Sequence, residues 1–389
     1  MKKMLLACMM VPFIGANAQT TKKVILEDLT GIHCGWCPEG AVMTEDLYTQ
    51  MPSTFIPIAI HTGSYTPPTS PLRTPDGDAV NKALQPYGYP AGAVDRAWYA
   101  PGHAAPNYDK WKGIAMSRGV WQPAIQSRLA LDGVVSVSFA NKVKNADGSY
   151  EADINIKFTT APKAGVPLKL QVYVLEDSIK AATSDANLAQ DNYSSNVQNG
   201  KSPLDPWYHN NVLRSSLVNS GSDYFGDGAT IPATPVLNTV YTKHIKFTPS
   251  SSWAAKHIRV VAFVAYNGTG GPSTDAMAII NADQVHLKSF FPTSVGETNK
   301  SVSIEAVYPN PASVKDVIKL QYSITKSSKV TMTVINSLGQ VVGTPYMSDE
   351  VAGSHTIQWS AAEHNLPAGM YLMQISTDEG TFVQKVNIY

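Results

Sequence analysis

Cysteine is scarce in this sequence of 389 residues, which holds three. The first, Cys8, lies inside an N-terminal apolar run, which leaves only Cys34 and Cys37 for the body of the protein. Two cysteines exclude a small disulfide-stapled scaffold, and they offer two of the four ligands that a structural zinc site needs. An excess of charge of either sign is also missing, because 30 Lys plus Arg balance 30 Asp plus Glu. With no basic excess there is no electrostatic footprint for nucleic acid or for an anionic membrane surface. Beyond the N-terminus no apolar run reaches the roughly 20 residues of a membrane-spanning helix. Charged residues make up only 15% of the chain, whereas it holds 26 Pro, 27 Gly and many Thr and Ser. That balance suits β-rich exported domains, and the 43% apolar content is enough for several cores in two or three domains.

The N-terminus reads as an export signal spanning residues 1–18. Lys2 and Lys3 precede the apolar stretch Met4 to Gly15, and Ala16-Asn17-Ala18 supplies a small-x-small cleavage site before Gln19. Leu5-Leu6-Ala7-Cys8 loosely resembles a lipidation signal, but Cys8 comes early and the apolar run continues past it.

Residues 19–130 alternate strand and helix patterns. Val24 to Leu29 reads as a buried strand, Cys37-Pro38-Glu39 opens a helix, and Phe55 to His61 is a second strand. A Pro-rich loop runs from Thr62 to Asp76, followed by a helix over Gly77 to Leu84 and a strand over Ala91 to Trp98. The apolar spacing of Trp111, Ile114, Ala115, Ile125 and Leu129 predicts a helix over Tyr108 to Leu129. Alternation of this kind indicates an α/β unit.

From 131 to 292 the pattern becomes short β runs, which predict an antiparallel β-sandwich interrupted by a long polar loop from Lys180 to Pro206. A linker over 293–301 follows. Residues 302–389 again carry short strands, at Ile318 to Ile324, Lys329 to Ile335, His355 to Trp359 and Met370 to Ser376. They predict a small C-terminal Ig-like β-sandwich, so the fold class is multidomain α/β plus β.

Cys34-Gly35-Trp36-Cys37 carries the chemistry. A Cys-x-x-Cys at a helix start places unsatisfied N–H groups and partial positive charge beside the first sulfur. That favours the thiolate and lowers its pKa from about 8.5 towards 7 or below. The spacing allows the second thiol to resolve a mixed disulfide. Cys34 is therefore the expected exposed nucleophile and Cys37 the buried resolving thiol. His33 and Trp36 flank the pair: a cationic His33 would stabilise the thiolate, and Trp36 would shape a docking surface. No metal is expected, since zinc would need both His33 and His61 beside the two sulfurs. No cofactor is expected either, since haem attachment requires a His where Pro38 stands.

Val24 to Cys37 resembles the active-site strand, loop and helix start of thioredoxin-like proteins. The resemblance implies that Asp28, six residues before Cys34, is a buried acid serving the resolving cysteine. It also implies that Pro90, in Tyr89-Pro90, is the cis-proline that packs over the disulfide. The Gly-Trp spacer differs from the Gly-Pro of thioredoxin itself, so no redox potential carries over. Leu26 to Pro38, Tyr87 to Arg96 and Tyr208 to Arg214 together resemble the Omp28-related outer-membrane proteins of Bacteroidetes. In that family a β domain follows the thioredoxin-like part, and the resemblance spans about residues 22 to 290.

Val307-Tyr308-Pro309-Asn310-Pro311, Asn336 to Val342, Leu366 to Leu372 and the final Lys385 to Tyr389 resemble the type A sorting domain of the type IX secretion system. That implies export through the periplasm to the cell surface, the outer membrane or the medium, with residues 302–389 recognised by the secretion machinery. Two functions stay open. One is thiol–disulfide exchange on protein disulfides or thiols by Cys34 and Cys37, assisted by Asp28 and Pro90. The other is a non-enzymatic, adhesin-like surface protein in which the pair is a structural or vestigial disulfide. His209 and Arg214 mark either a functional surface or an ordered loop.

Overall fold

The computed structural model describes residues 20–104, 112–218, 226–292, 302–336, 340–377 and 380–389. The expected export signal, the linker and part of the Tyr108 to Leu129 segment lie outside them. β-Strand is the commonest secondary structure of the described chain, arranged in several sheets.

The apolar run near the N-terminus forms β1 (Val24–Thr30), buried along its whole length. Helix α1 (Cys37–Gln50) begins with Pro38 in its first turn, where the missing N–H costs nothing. It returns the chain to β2 (Phe55–His61), which pairs parallel to β1 with Asp28 opposite Ala59 and Thr30 opposite His61. Helix α2 (Pro75–Leu84) is capped by the Thr74 side chain, which accepts from the Gly77 N–H. Strand β3 (Ala91–Val94) runs antiparallel to β1, and the short β4 (Met116–Ser117) extends the edge.

A helix over Tyr108 to Leu129 is not what forms. Among the described residues α3 covers only Trp121–Leu129, preceded by a single 3-10 turn over Arg118–Val120 and the short strand Met116–Ser117. The Gly113 backbone approaches the Leu84 and Gln85 carbonyls too closely for any Cβ, and Ala115 donates to the Leu84 carbonyl. Those backbone partners hold the segment against α2 and compete with helical hydrogen bonding.

The middle strands divide between two large sheets and a small two-stranded one. They are β5 (Val135–Lys144), β6 (Tyr150–Phe158), β7 (Leu168–Glu176), the short β8 (Ile179–Lys180) and β9 (Tyr208–His209), which form the small sheet, β10 (Val212–Ser216), β11 (Val240–Phe247), β12 (Ile258–Tyr266), β13 (Ile279–His286) and β14 (Phe291–Pro292). One large sheet has the order β11-β6-β5-β14. The other is eight-stranded with the order β13-β12-β7-β10-β2-β1-β3-β4, so strands from both sides of residue 130 share it. The junction is the parallel contact of β10 with β2, where Val212 lies opposite Ala59 and the Ala59 N–H donates to the Asn211 carbonyl at 2.7 Å. The alternation of β7 and β12 then works on both faces. Leu170, Val172, Val174, Val260 and Ala262 pack towards the second sheet. Tyr173, Leu175, Val261 and Phe263 continue the core that begins at Ile25, Ile56 and Ile60.

A fully buried ion pair ties these parts together. Arg96 donates to both Glu27 carboxylate oxygens at 2.6 and 2.7 Å and to the Tyr173 hydroxyl at 3.1 Å, and both charged side chains are 0% exposed. Glu27 belongs to β1 and Tyr173 to β7, so the guanidinium bridges the two regions.

The C-terminal region is a separate pair of sheets over one core of Leu320, Tyr322, Met332, Trp359, Met373 and Val386. One sheet contains β15 (Val302–Tyr308), β16 (Ile318–Ile324) and β19 (Gly353–Trp359). The other contains β17 (Ser328–Asn336), β18 (Val341–Glu350), β20 (Gly369–Thr377) and β21 (Gly380–Ile388). Among the described residues no helix is long and apolar enough to cross a membrane.

Replacing Arg96 with Met leaves Glu27 buried and unpaired, a defect that costs about 3–5 kcal/mol. Thermal unfolding followed by circular dichroism is expected to show a midpoint lower by roughly 6–15 °C. The double variant Glu27→Gln/Arg96→Met is expected to recover part of that loss.

Candidate functional site

The site grows from the end of β1. Side chains alternate along a strand, so Val24, Leu26, Asp28 and Thr30 share the face that α1 covers, and Ala59 and His61 join them from β2. The first two fill the core with Leu47, Phe55 and Trp121. The last two place polar groups beneath the first turns of α1, next to Cys37. The turn Gly31–Trp36 lifts the chain over this face, with the Cys34 N–H donating to the Gly31 carbonyl and the Cys37 N–H to the Cys34 carbonyl.

Cys34 and Cys37 form a disulfide with a Cα–Cα distance of 5.3 Å. The exposure expected of Cys34 is not found: Cys34 is 3% and Cys37 1% exposed. The reason lies about 155 residues downstream, in the long polar loop. Its residues 185–197 form a strap across the Cys-Gly-Trp-Cys turn. The Asp191 N–H donates to the Ile32 carbonyl at 2.8 Å, and the Tyr193 N–H to the Gly35 carbonyl at 2.7 Å. The buried Gln190 amide donates to the carbonyls of Ile32 and Asp191 at 3.1 and 3.0 Å, with longer contacts to those of Gly31 and Cys34. The Tyr193 ring lies flat against Gly35, so close that a Cβ there would stand 2.3 Å from it. Gly35 is therefore a residue this cover requires.

His33 contacts Asp191 of the strap at 3.1 Å, and both side chains are partly exposed. Trp36 is 49% exposed, edge-on to Tyr193 and under the Arg118 guanidinium, which also pairs with Glu39. The Tyr89–Pro90 bond is cis, and Pro90 is buried against Gly40 of α1, one helical turn beyond the disulfide.

Asp28 is 3% exposed and its Oδ1 has no hydrogen-bond partner. Burial alone pushes its carboxyl up to about 8, so it holds its proton at neutral pH. His61, also buried, is held well below the usual histidine range by burial and then by the neighbouring His209 and Arg214. The His209 ring meets it edge-on at 5.1 Å and is pushed down to about 4 by burial. Its Nε2 faces the Leu188 carbonyl of the strap at 2.9 Å, which fixes the proton of the neutral ring on that nitrogen. Arg214, by contrast, pairs with Glu176 at 3.3 Å and donates to the Pro71 carbonyl. It fastens loops and stands apart from the disulfide.

Sequence reasoning missed Gln190, Asp191 and Tyr193. The only available signal was the length of the loop from Lys180 to Pro206, since long structureless segments in compact domains commonly serve a site.

Comparison with known proteins adds three findings. The profile of outer membrane protein Omp28 matches residues 78–289, a span that contains Pro90, Tyr193 and His209 but begins after Cys34 and Cys37. The profile of the secretion system C-terminal sorting domain matches residues 306–389. Among solved structures, HBP35 of Porphyromonas gingivalis is similar at 21% identity and a TM-score of 0.50, over 95% of this chain and 99% of that one. A protein of Agrobacterium tumefaciens is similar at 15% identity and a TM-score of 0.35, over 72% of this chain and 98% of its own. No curated protein matches the chain.

The Asp28 proton is bound more tightly in the folded than in the unfolded chain. Its stabilising contribution is full below about pH 4 and is lost as the pH rises towards 8. Asp28→Asn stays neutral throughout, so its stability relative to the parent is expected to be near zero at about pH 4 and to grow to at most roughly 6 kcal/mol above pH 8. Chemical denaturation at both ends of that range checks it; a difference independent of pH would refute the assignment.

Proposed function

The chain belongs to the Omp28 outer membrane protein family, and from that premise we propose that its Cys34–Cys37 pair performs thiol–disulfide exchange with the disulfides or thiols of other proteins. The C-terminal sorting domain directs it to the type IX secretion machinery and so to the cell surface or outer membrane. In this reading residues 19–130 are a thioredoxin-like domain, 131–292 the β domain of the family, and 302–389 an Ig-like sorting domain.

The observation that carries the reading is a disulfide seated at the start of α1 whose Cys37 lines the same cavity as a buried, unpartnered carboxyl group. In the reducing half-reaction a substrate thiolate attacks Cys34 Sγ, the Cys34–Cys37 bond breaks, and Cys37 leaves as a thiolate. A second substrate thiol then displaces Cys34. The protein gains two electrons and the substrate is released as a disulfide. Asp28, protonated at neutral pH, supplies the proton for the Cys37 thiolate and accepts it in the reverse direction. Pro90 keeps α1 and β3 in register beside the pair, while Trp36 and His33 shape the approach.

One observation favours the second reading, a structural disulfide on a surface binding protein: the strap leaves Cys34 almost inaccessible. For exchange with a protein substrate, residues 185–197 must move aside.

Equilibration of the purified protein in a dithiothreitol or glutathione series is expected to give a potential between about −270 and −120 mV. A value below about −300 mV would establish a structural disulfide instead. If the strap limits access, Tyr193→Ala is expected to raise the rate of reduction by a protein dithiol by a larger factor than the rate by dithiothreitol. Equal factors would show that the strap plays no part in access.

A further inference from the structure

Behind the disulfide, between α1 and the segment Pro206–Asn211, lies a cavity of about 350 Å³. Strand register and helical repeat bring its polar lining together: Asp28 and His61 rise from β1 and β2, and Thr44 descends from α1 two turns after Cys37. Trp207 closes the far side, its carbonyl accepting from the Ala181 N–H at 2.9 Å. Each of these four side chains has a buried polar atom without a partner: Asp28 Oδ1, His61 Nδ1, Thr44 Oγ1 and Trp207 Nε1. Asp28, Thr44 and His61 are themselves 3–4% exposed. Buried polar atoms in native proteins almost always have partners, so four orphans around one cavity mark a place prepared for something else.

We propose that this cavity is a binding site for a small uncharged molecule with an apolar body and at least one acceptor oxygen. The indole N–H of Trp207 can only donate, so the occupant must accept. Ala41, Val42, Ala59 and Pro206 supply apolar wall. The interior presents no fixed charge at neutral pH, because Asp28 keeps its proton and both imidazoles are neutral, so an ion entering it would lose its hydration without a counter-charge. Glu45 stands outside this interior, at the exposed rim where solvent screens its charge. The volume is at the small end of ligand pockets and suits a single substituted ring. Cys37 forms part of the wall, so the occupant touches the redox pair from its buried side. The site does not depend on whether that pair turns over.

The test compares benzamide, benzoate and benzamidine, which share a ring and differ in charge, by calorimetric titration and ligand-observed NMR on the oxidised full-length protein at about pH 6.5, below the Asp28 value. Benzamide is expected to bind at least about tenfold more tightly than either ion. Trp207→Phe, which keeps an aromatic ring but removes the donor, is expected to weaken it by about tenfold. Ala59→Leu, which fills the floor, is expected to abolish binding; if that variant fails to fold, Trp207→Phe alone carries the test. Absence of benzamide binding at millimolar concentration, equal binding of all three compounds, or binding unchanged in Trp207→Phe would mean that the cavity holds water only, and would overturn the proposal.

Discussion

The parallel contact between β2 and β10 is the constraint on which the rest of the structure depends. It is a short contact: Val212 opposite Ala59, with the Ala59 N–H donated to the Asn211 carbonyl. Through it the α/β unit and the middle strands become one eight-stranded sheet. It also sets the position of the segment that immediately precedes β10 in the chain. His209, Tyr208 and Trp207 are delivered to the side of α1, and the loop before them is close enough to lie across the cysteine turn. Neighbouring groups reinforce the seam: Arg259, 1% exposed, donates to the Pro57 carbonyl on β2 and to the Asn211 side chain.

Two treatments of buried polar groups stand side by side. On one face of β1, Glu27 is fully matched, with a bidentate guanidinium and no solvent. On the other face, one residue along, Asp28 has no counter-charge and remains protonated. A buried carboxylate needs a partner or must give up its charge, and β1 shows both outcomes in adjacent residues. The first arrangement holds the fold rigidly. The second keeps a transferable proton next to a sulfur.

Much of this was legible in the sequence where local rules decide. The apolar run from Val24 to Leu29 with its turn residues, the Cys-Pro helix start and the apolar stretch from Ala91 each rest on neighbouring residues, and they specify β1, the beginning of α1 and β3. The short strands of the C-terminal region follow for the same reason. What escaped is what non-local pairing decides. Apolar spacing from Trp111 to Leu129 has a helical period, yet the close approach of Gly113 to the backbone at the end of α2 leads into the short strand Met116–Ser117, and helix begins only after it. Nothing near Tyr193 says that its ring will rest on Gly35, because that contact depends on the β2–β10 seam. The buried acid Asp28 is placed by the family resemblance of the cysteine motif, whereas nothing in the sequence places the cavity beside it. Thr44 and Trp207 are unremarkable until the fold sets them opposite each other.

The strap has a consequence for the order of events during biogenesis. The chain is synthesised from its N-terminus, so residues 31–37 exist as an open turn long before residues 185–197 are made. During that interval both sulfurs are available to whatever oxidant the compartment offers. Once β10 docks on β2 and Tyr193 settles on Gly35, the bond is enclosed in the state in which it was then found. From then on any change in the redox state of the pair has to wait for residues 185–197 to move aside, whereas before that docking it depended on the sulfurs and their surroundings alone.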